Sequence, residues 1–215
     1  MIRILFSALV ILSLIGCSSN QIKGDYSFNE EAEKGIVIGS ITFDGKYSAY
    51  KIGYRKSDNR RIDFVQAGKA MLLLPITPET EIEKYGEKGR VFGLALEPGV
   101  YIFEVWQIDS GSISTGGAIF RNIEIKVKKG EAAYIGNFHF EETKSIGLTV
   151  VGAKVFYSSK YDRDSKLIKH KYPLIESAIH PVNIAGSNLV GRGEKISISF
   201  FLEALDKSQN FKYNN

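Results

Sequence analysis

The sequence predicts an all-β domain, and three observations predict it. Eleven tyrosines, 13 phenylalanines and 21 glycines weight the composition towards strands and turns. Short runs of β-branched and aromatic residues recur between turn residues at roughly 8–12-residue spacing, the pattern of a sandwich or barrel. One stretch after the strands, residues 161–171 (YDRDSKLIKHK), is charged, poor in strand formers and suited to a short helix. The expected architecture is an antiparallel β-sandwich over residues 35–158, followed by an α-containing C-terminal extension over 159–215. A β-barrel, one sheet closed on itself, is the alternative.

Each element follows from local chemistry. Residues 35–43 (GIVIGSITF) read as a strand, and Asp44-Gly45 after them is a hairpin signal. Residues 46–55 alternate, with Tyr50, Ile52 and Tyr54 on one face. Ser57-Asp58-Asn59 is a turn. Residues 60–66 and 69–74 flank Ala67-Gly68, a second expected hairpin, and 75–89 is a loop rich in Pro, Glu and Gly. A strand at 90–96 leads to Glu97-Pro98-Gly99, where Pro and Gly suit a type II turn. Residues 100–108 alternate again. Tyr101, Phe103 and Val105 share one face; Val100, Ile102, Glu104 and Trp106 share the other.

The Ser/Gly-rich stretch 109–117 reads as a loop, and 118–127 as a long strand ending in Lys128-Lys129-Gly130. Strands at 131–141 and 146–158 close the series. Asp162 or Asp164 is expected to cap the helix and Pro173 to end it. Residues 195–202 alternate and suit a last strand added to a sheet edge.

Composition excludes several classes. The chain has 215 residues, 44% hydrophobic and 24% charged, which is ordinary for a globular protein. Lys and Arg total 28 against 24 Asp and Glu, a net charge of +4, too balanced for a dedicated nucleic-acid binder. A single cysteine excludes an internal disulfide framework and a cysteine-rich zinc site.

That cysteine ends the most informative segment. Arg3 gives a positive start, and residues 4–15 are almost wholly apolar. This run is too short to span a bilayer, which takes about 20 residues, but it matches the apolar region of a secretory signal. It closes in Leu14-Ile15-Gly16-Cys17, which resembles the lipobox of bacterial lipoproteins. The resemblance implies cleavage between Gly16 and Cys17, with residues 1–16 as signal peptide. It also implies a diacylglycerol on the Cys17 thiol, often joined by a further acyl chain on the new amino group. Two or three chains make a lasting anchor, whereas one holds marginally. Ser18, standing where an inner-membrane-retained member carries Asp, implies the outer membrane if the organism is Gram-negative. Residues 17–34 are polar and read as a flexible tether of about 17 residues, with a reach of roughly 20–25 Å.

A second resemblance lies in the β region. Glu97-Pro98-Gly99-Val100-Tyr101, the Ser/Gly loop, Lys128-Lys129-Gly130 and Ala133-Tyr134-Ile135-Gly136-Asn137 resemble a β-sandwich of small bacterial lipoproteins. They are similar also to transthyretin-like and carboxypeptidase-regulatory-like modules, which are Ig-like. The resemblance implies a fold and a non-enzymatic habit, and no ligand.

Candidate sites are few. His139, His170 and His180 are the only histidines, and none stands at metal-ligand spacing. Asp162-Arg163-Asp164 begins like a calcium loop, but Lys166 and Leu167 stand where a ligand and the turn glycine belong. Gly111-Ser112-Ile113-Ser114-Thr115-Gly116-Gly117 lacks the Lys-Ser/Thr ending of a phosphate loop and reads as a hairpin loop. Ser158 and Ser187 lack a nucleophile-elbow motif. Trp106 reads as core. Arg60-Arg61 and Lys128-Lys129 read as turn or edge charges that oppose aggregation.

No catalytic residue, cofactor or metal is expected. The expectation is a lipid-anchored cell-envelope protein with a binding or structural role. Its partners would be the membrane, through Cys17, and an envelope protein or glycan. The alternatives are a carrier of an apolar ligand and an envelope hydrolase with a loop-built site.

Overall fold

A computed structural model describes residues 20–27, 33–70, 80–183, 187–193 and 196–197. The fold is all-β with one α-helix. The strands are β1 (Gly35–Phe43), β2 (Ala49–Lys56), β3 (Asp63–Gly68), β4 (Lys88–Leu96), β5 (Gly99–Ser110), β6 (Ile113–Val127), β7 (Ala132–Ile146) and β8 (Thr149–Ser158). Helix α1 (Tyr161–Lys171) follows, then a 3-10 segment (Pro173–Ala178), β9 (Ile179–Pro181), β10 (Ser187–Gly193) and β11 (Ile196–Ser197).

The strands form one sheet in the order β3-β2-β5-β6-β10-β8-β7-β1-β4. Its end strands, β3 and β4, lie within contact distance without a ladder between them. The sheet is therefore nearly closed and barrel-shaped, the alternative the sequence allowed. It has two halves, β3-β2-β5-β6 and β10-β8-β7-β1-β4, and β6 meets β10 through one residue pair, Ile119 and Gly191. The sequence predicts an antiparallel sheet, but the sheet is mixed: β1 runs parallel to β7, and β9 also runs parallel to β7.

Two expected turns prove to be crossings between the halves. After Asp44-Gly45 the chain leaves β1, whose neighbours are β4 and β7, and enters β2, which pairs with β3 and β5. Asp44 itself extends the β1–β7 ladder, its N–H donating to the Phe140 carbonyl. Likewise Glu97-Pro98-Gly99 carries the chain from β4 to β5, and Gly99 has φ +152°, away from the roughly +80° of a type II turn. Turn dipeptides report a local bend, not the strand that the chain will pair with. The expected loop at 109–117 shrinks to Gly111 and Ser112, with Gly111 at φ +63°, and strand β6 starts at Ile113. Lys69 and Ala70, expected to start a strand after Ala67-Gly68, lie outside any strand. Residues 71–79 lie outside the described residues, as do 198–202 of the expected last strand.

The barrel interior is filled. Trp106, Tyr50, Phe92, Phe103, Phe138 and Phe140 are all fully buried in it. Phe43 and Tyr50 stack at 4.2 Å between centroids, and Trp106 meets Phe140 edge-on at 6.4 Å. Glycines make the room that Trp106 needs. A Cβ on Gly191 would stand 2.7 Å from the indole Cδ1, closer than packed side chains tolerate.

Strand β1 is buried along its whole length because it is covered on both faces. Val37, Ile41 and Phe43 enter the barrel core. Ile36 and Ile38 face outward into a second core with Val91, Tyr134, Leu167, Ile168 and Tyr172. The apolar side of α1 thus packs on the outside of the barrel. The N-terminal segment joins this layer. Gln21 bridges Leu94, the Ile22 N–H donates to the Gly93 carbonyl at 2.9 Å, and Ile22 is buried. Asn20 to Ile22 therefore extend the sheet beyond β4, where the sequence suggested free tether.

Candidate functional site

Among the described residues, two surface clefts gather recognisable chemistry. The first lies outside the barrel beside α1. The sequence places polar residues at Ser40 and Thr42 on the outward face of an otherwise apolar strand. Strand β7 then supplies Asn137 and His139 to the same face, because of a bulge. Ile38 pairs with Tyr134 but Ser40 with Asn137, so β7 carries one extra residue. Gly136, at φ +103°, occupies the bulge. The bulge shifts the alternation so that Phe138 and Phe140 point inward while Asn137 and His139 point outward.

A buried ionic network forms where α1 meets this face. Asp164 is fully buried. Its Oδ2 accepts from Tyr134 Oη at 2.6 Å and from Ser40 Oγ at 2.6 Å. Its Oδ1 accepts from Arg163 Nε at 2.7 Å. Arg163 also donates to Glu87 at 2.6 Å, to Ser40 at 3.0 Å and to Asn137 Oδ1 at 3.2 Å. Burial and the Asp164 carboxylate push the Tyr134 phenol far above its usual range, so it stays a proton donor. The helix begins as expected at Tyr161, but its N-cap is Lys160, without a side-chain cap bond. Neither Asp162 nor Asp164 caps it. Asp164 turns inward because Arg163 and two hydroxyls satisfy its charge there.

The adjoining cleft, of about 470 Å³, is lined by Glu87, His139, Phe156, Ser158, Lys160 and Ser187 among others. Ser158 and Ser187 are cross-strand partners on β8 and β10. His139 is already engaged at both ring nitrogens. Nδ1 lies 2.9 Å from Thr42 Oγ1, and Nε2 lies 3.4 Å from Asp44 Oδ1. Thr42 is buried, so this hydroxyl does not face a substrate. The imidazole is held as a bracket between β1 and β7.

The second cleft opens through the barrel wall, where β6 and β10 part. Both strands bulge there. Phe103 pairs with Ile123 and Val105 with Ala118, so residues 119–122 of β6 stand opposite Glu104 alone. On β10, Leu189 pairs with Phe156 and Gly191 with Val155, leaving Val190 extra. Past the Ile119–Gly191 pair the strands separate around a cleft of about 530 Å³. Ile123, Ile125, Tyr157, Leu189 and Val190 give it an apolar lining, and Arg121, Glu124, Asn183 and Asn188 add polar groups. Ile125, Tyr157 and Val190 belong to the barrel core, so the cleft reaches its edge. Leu189 is 44% exposed and Phe120, on the β6 bulge, 63%.

The remaining sequence candidates fall elsewhere. His170 lies on α1 and His180 on β9, both exposed and apart from His139. Among the described residues no three His, Cys, Asp or Glu side chains could together hold a metal ion. Gly116 and Gly117 lie in β6 opposite Gln107 and Trp106; Gly117 faces the indole, and Gly116 lies against the Trp106 backbone carbonyl. Arg61 pairs with Asp63 at 3.2 Å, Lys128 with Glu131 at 3.2 Å and Lys129 with Glu33 at 3.4 Å, all at turns. Cys17, with Leu14, Ile15, Gly16 and Ser18, lies outside the described residues. Among the described residues no helix is long and apolar enough to cross a membrane.

Sequence reading missed both clefts. Ser40 and Thr42 inside an apolar strand were the available signal for the first. The second depends on where two bulges meet, which no local pattern records. No protein family, curated protein or solved structure matches the chain.

Proposed function

We propose that the chain is a lipid-anchored cell-envelope protein that binds an extended polypeptide segment in the cleft between β6 and β10. The anchor rests on the sequence ending in Leu14-Ile15-Gly16-Cys17. The observation that carries the binding reading is the pair of facing bulges, which leave two strand edges diverging over an apolar floor. Among the described residues no strand continues the ladder on these edges past Ile119 and Gly191, so an incoming strand could extend it while the floor takes alternate side chains. The filled aromatic interior favours this reading over a carrier that encloses its ligand. The engagement of both His139 nitrogens favours it over a hydrolase using Ser158.

The test is selection of binding peptides from a random library on a soluble form lacking residues 1–16 and carrying Cys17→Ser. Trp106, buried against Gly191 beside the cleft-lining Val190, reports occupancy indirectly by fluorescence. Leu189→Glu should abolish peptide binding and leave the circular dichroism spectrum and Tm unchanged. Equal binding by that variant would place the site elsewhere. Binding of a fluorescent fatty acid in the cleft, with no peptide enriched, would replace the reading with the carrier.

A further inference from the structure

The docked N-terminal segment has a consequence for how the anchored protein sits. We propose that the barrel end formed by residues 57–62, 97–99 and 128–130 lies directly on the lipid head groups, with no flexible spacer. This rests on the lipid-anchor reading of Cys17.

Chain length and direction set the seat. The sheet holds Asn20 and Gln21 in place. The Ala95 N–H donates to the Asn20 carbonyl at 2.8 Å, Arg90 Nη2 donates to Gln21 Oε1 at 2.6 Å, and Asn20 Nδ2 donates to Tyr54 Oη at 3.2 Å. Gln21 runs antiparallel to β4 at Leu94, so the chain arrives from the Leu96–Glu97 side. Three peptide steps separate Cys17 from Asn20, and they span about 11 Å at full extension. The polar layer outside the hydrocarbon of one leaflet is itself about 5–8 Å deep. Little length remains above the head groups, in contrast to the roughly 20–25 Å of a free tether of 17 residues.

The face is suited to a lipid surface of any charge. Lys34 pairs with Glu97 at 3.7 Å, and Arg61, Lys128 and Lys129 pair with Asp63, Glu131 and Glu33. Covalent geometry, not attraction to anionic lipid, sets the contact. The same orientation places the cleft between β6 and β10 in the membrane-proximal half, because Ile125 pairs with Tyr101 near the start of β5. A partner would then meet the protein close to the bilayer.

The experiment uses acylated protein purified from its native membrane and reconstituted into neutral liposomes. Cys17 is the only cysteine, and acylation blocks its thiol, so one introduced cysteine takes a spin label alone. Arg60→Cys labels the β2–β3 connection, and Leu148→Cys labels the β7–β8 turn at the opposite end. The label is relaxed by a nickel-chelating lipid in the same liposomes. Relaxation should be several-fold stronger at position 60 than at 148, and unchanged in high salt. A flexible insertion of about 15 residues after Ser19 should erase the contrast. Liposome-bound, acylated protein with equal relaxation at both positions overturns the flush seat and leaves the anchor standing. A mass spectrum of the same sample showing no acyl chains overturns the anchor reading, and this inference with it.

Discussion

At the scale of single residues, Asp164 and Arg163 fasten the helix to the barrel. Both are shielded from water, and their hydrogen bonds reach β1, β7 and Glu87. Removing Asp164 leaves Arg163 with Glu87 but takes one of its two carboxylates and strips the buried Tyr134 hydroxyl of its acceptor, which costs about 3 kcal/mol. Asp164→Ala should therefore lower the free energy of urea unfolding by about that amount, whereas Asp162→Ala, on the exposed side, should change little. Asp109 shows the opposite economy of position. Desolvation disfavours its charge. Hydrogen bonds from Lys51, Ser114 and Gln107, with the Lys51 charge, outweigh that and hold the carboxyl below its usual range. A carboxyl with a depressed folded-state value contributes stability that is fully present above the unfolded value of about 3.9. That stability is lost as pH falls through the folded value. Asp109→Asn should flatten the stability profile below about pH 4, read by chemical unfolding across a pH series.

At the scale of elements, the N-terminal segment and β4 form one unit. Ile22 is buried over Gly93, where a Cβ would meet its Cδ1 at 2.6 Å. Ile22→Ala should cost about 2–4 kcal/mol, the range for truncating a buried aliphatic side chain. It should also speed hydrogen exchange at the Ala95 amide, which bonds to Asn20. The bulges are the other decisive elements. The one at Gly136 fixes which side chains of β7 face α1, and the pair on β6 and β10 opens the wall. Each places an extra residue where regular pairing would have flipped or closed the strand.

At the scale of the whole molecule, a filled barrel carries a helix on its outside, and the proposed anchor residue Cys17 stands three residues before Asn20, the first described residue. The proposed anchor predicts that Cys17→Ala prevents acylation and releases the protein from the membrane fraction. The check is the mass of the mature protein, expected to show loss of residues 1–16 and addition of two or three acyl chains. Released protein should keep its fold, because the two cores and the ionic network lie wholly beyond residue 20.

The sequence by itself determined the strand-rich character and the helix at residues 161–171 with its stop before Pro173, and its resemblance to a lipobox carries the proposal of an anchor. These are local properties. Side-chain sterics over a few residues set alternation, a proline fixes one backbone angle, and a signal segment is read as an unfolded stretch. Only the tertiary structure decided the rest. It chose a barrel-shaped sheet, made β1 parallel to β7, turned an expected hairpin and an expected tight turn into crossings, drew Asn20 to Ile22 into the sheet, and assembled both clefts. Pairing between distant strands depends on which faces can be buried together and on the chain entropy of bringing them there. Asp44-Gly45 looks the same before a hairpin as before a crossing. Asp164 reads as a helix cap until the fold sets Ser40, Tyr134 and Arg163 around it, because the environment that makes its burial tolerable lies on elements far away in the chain.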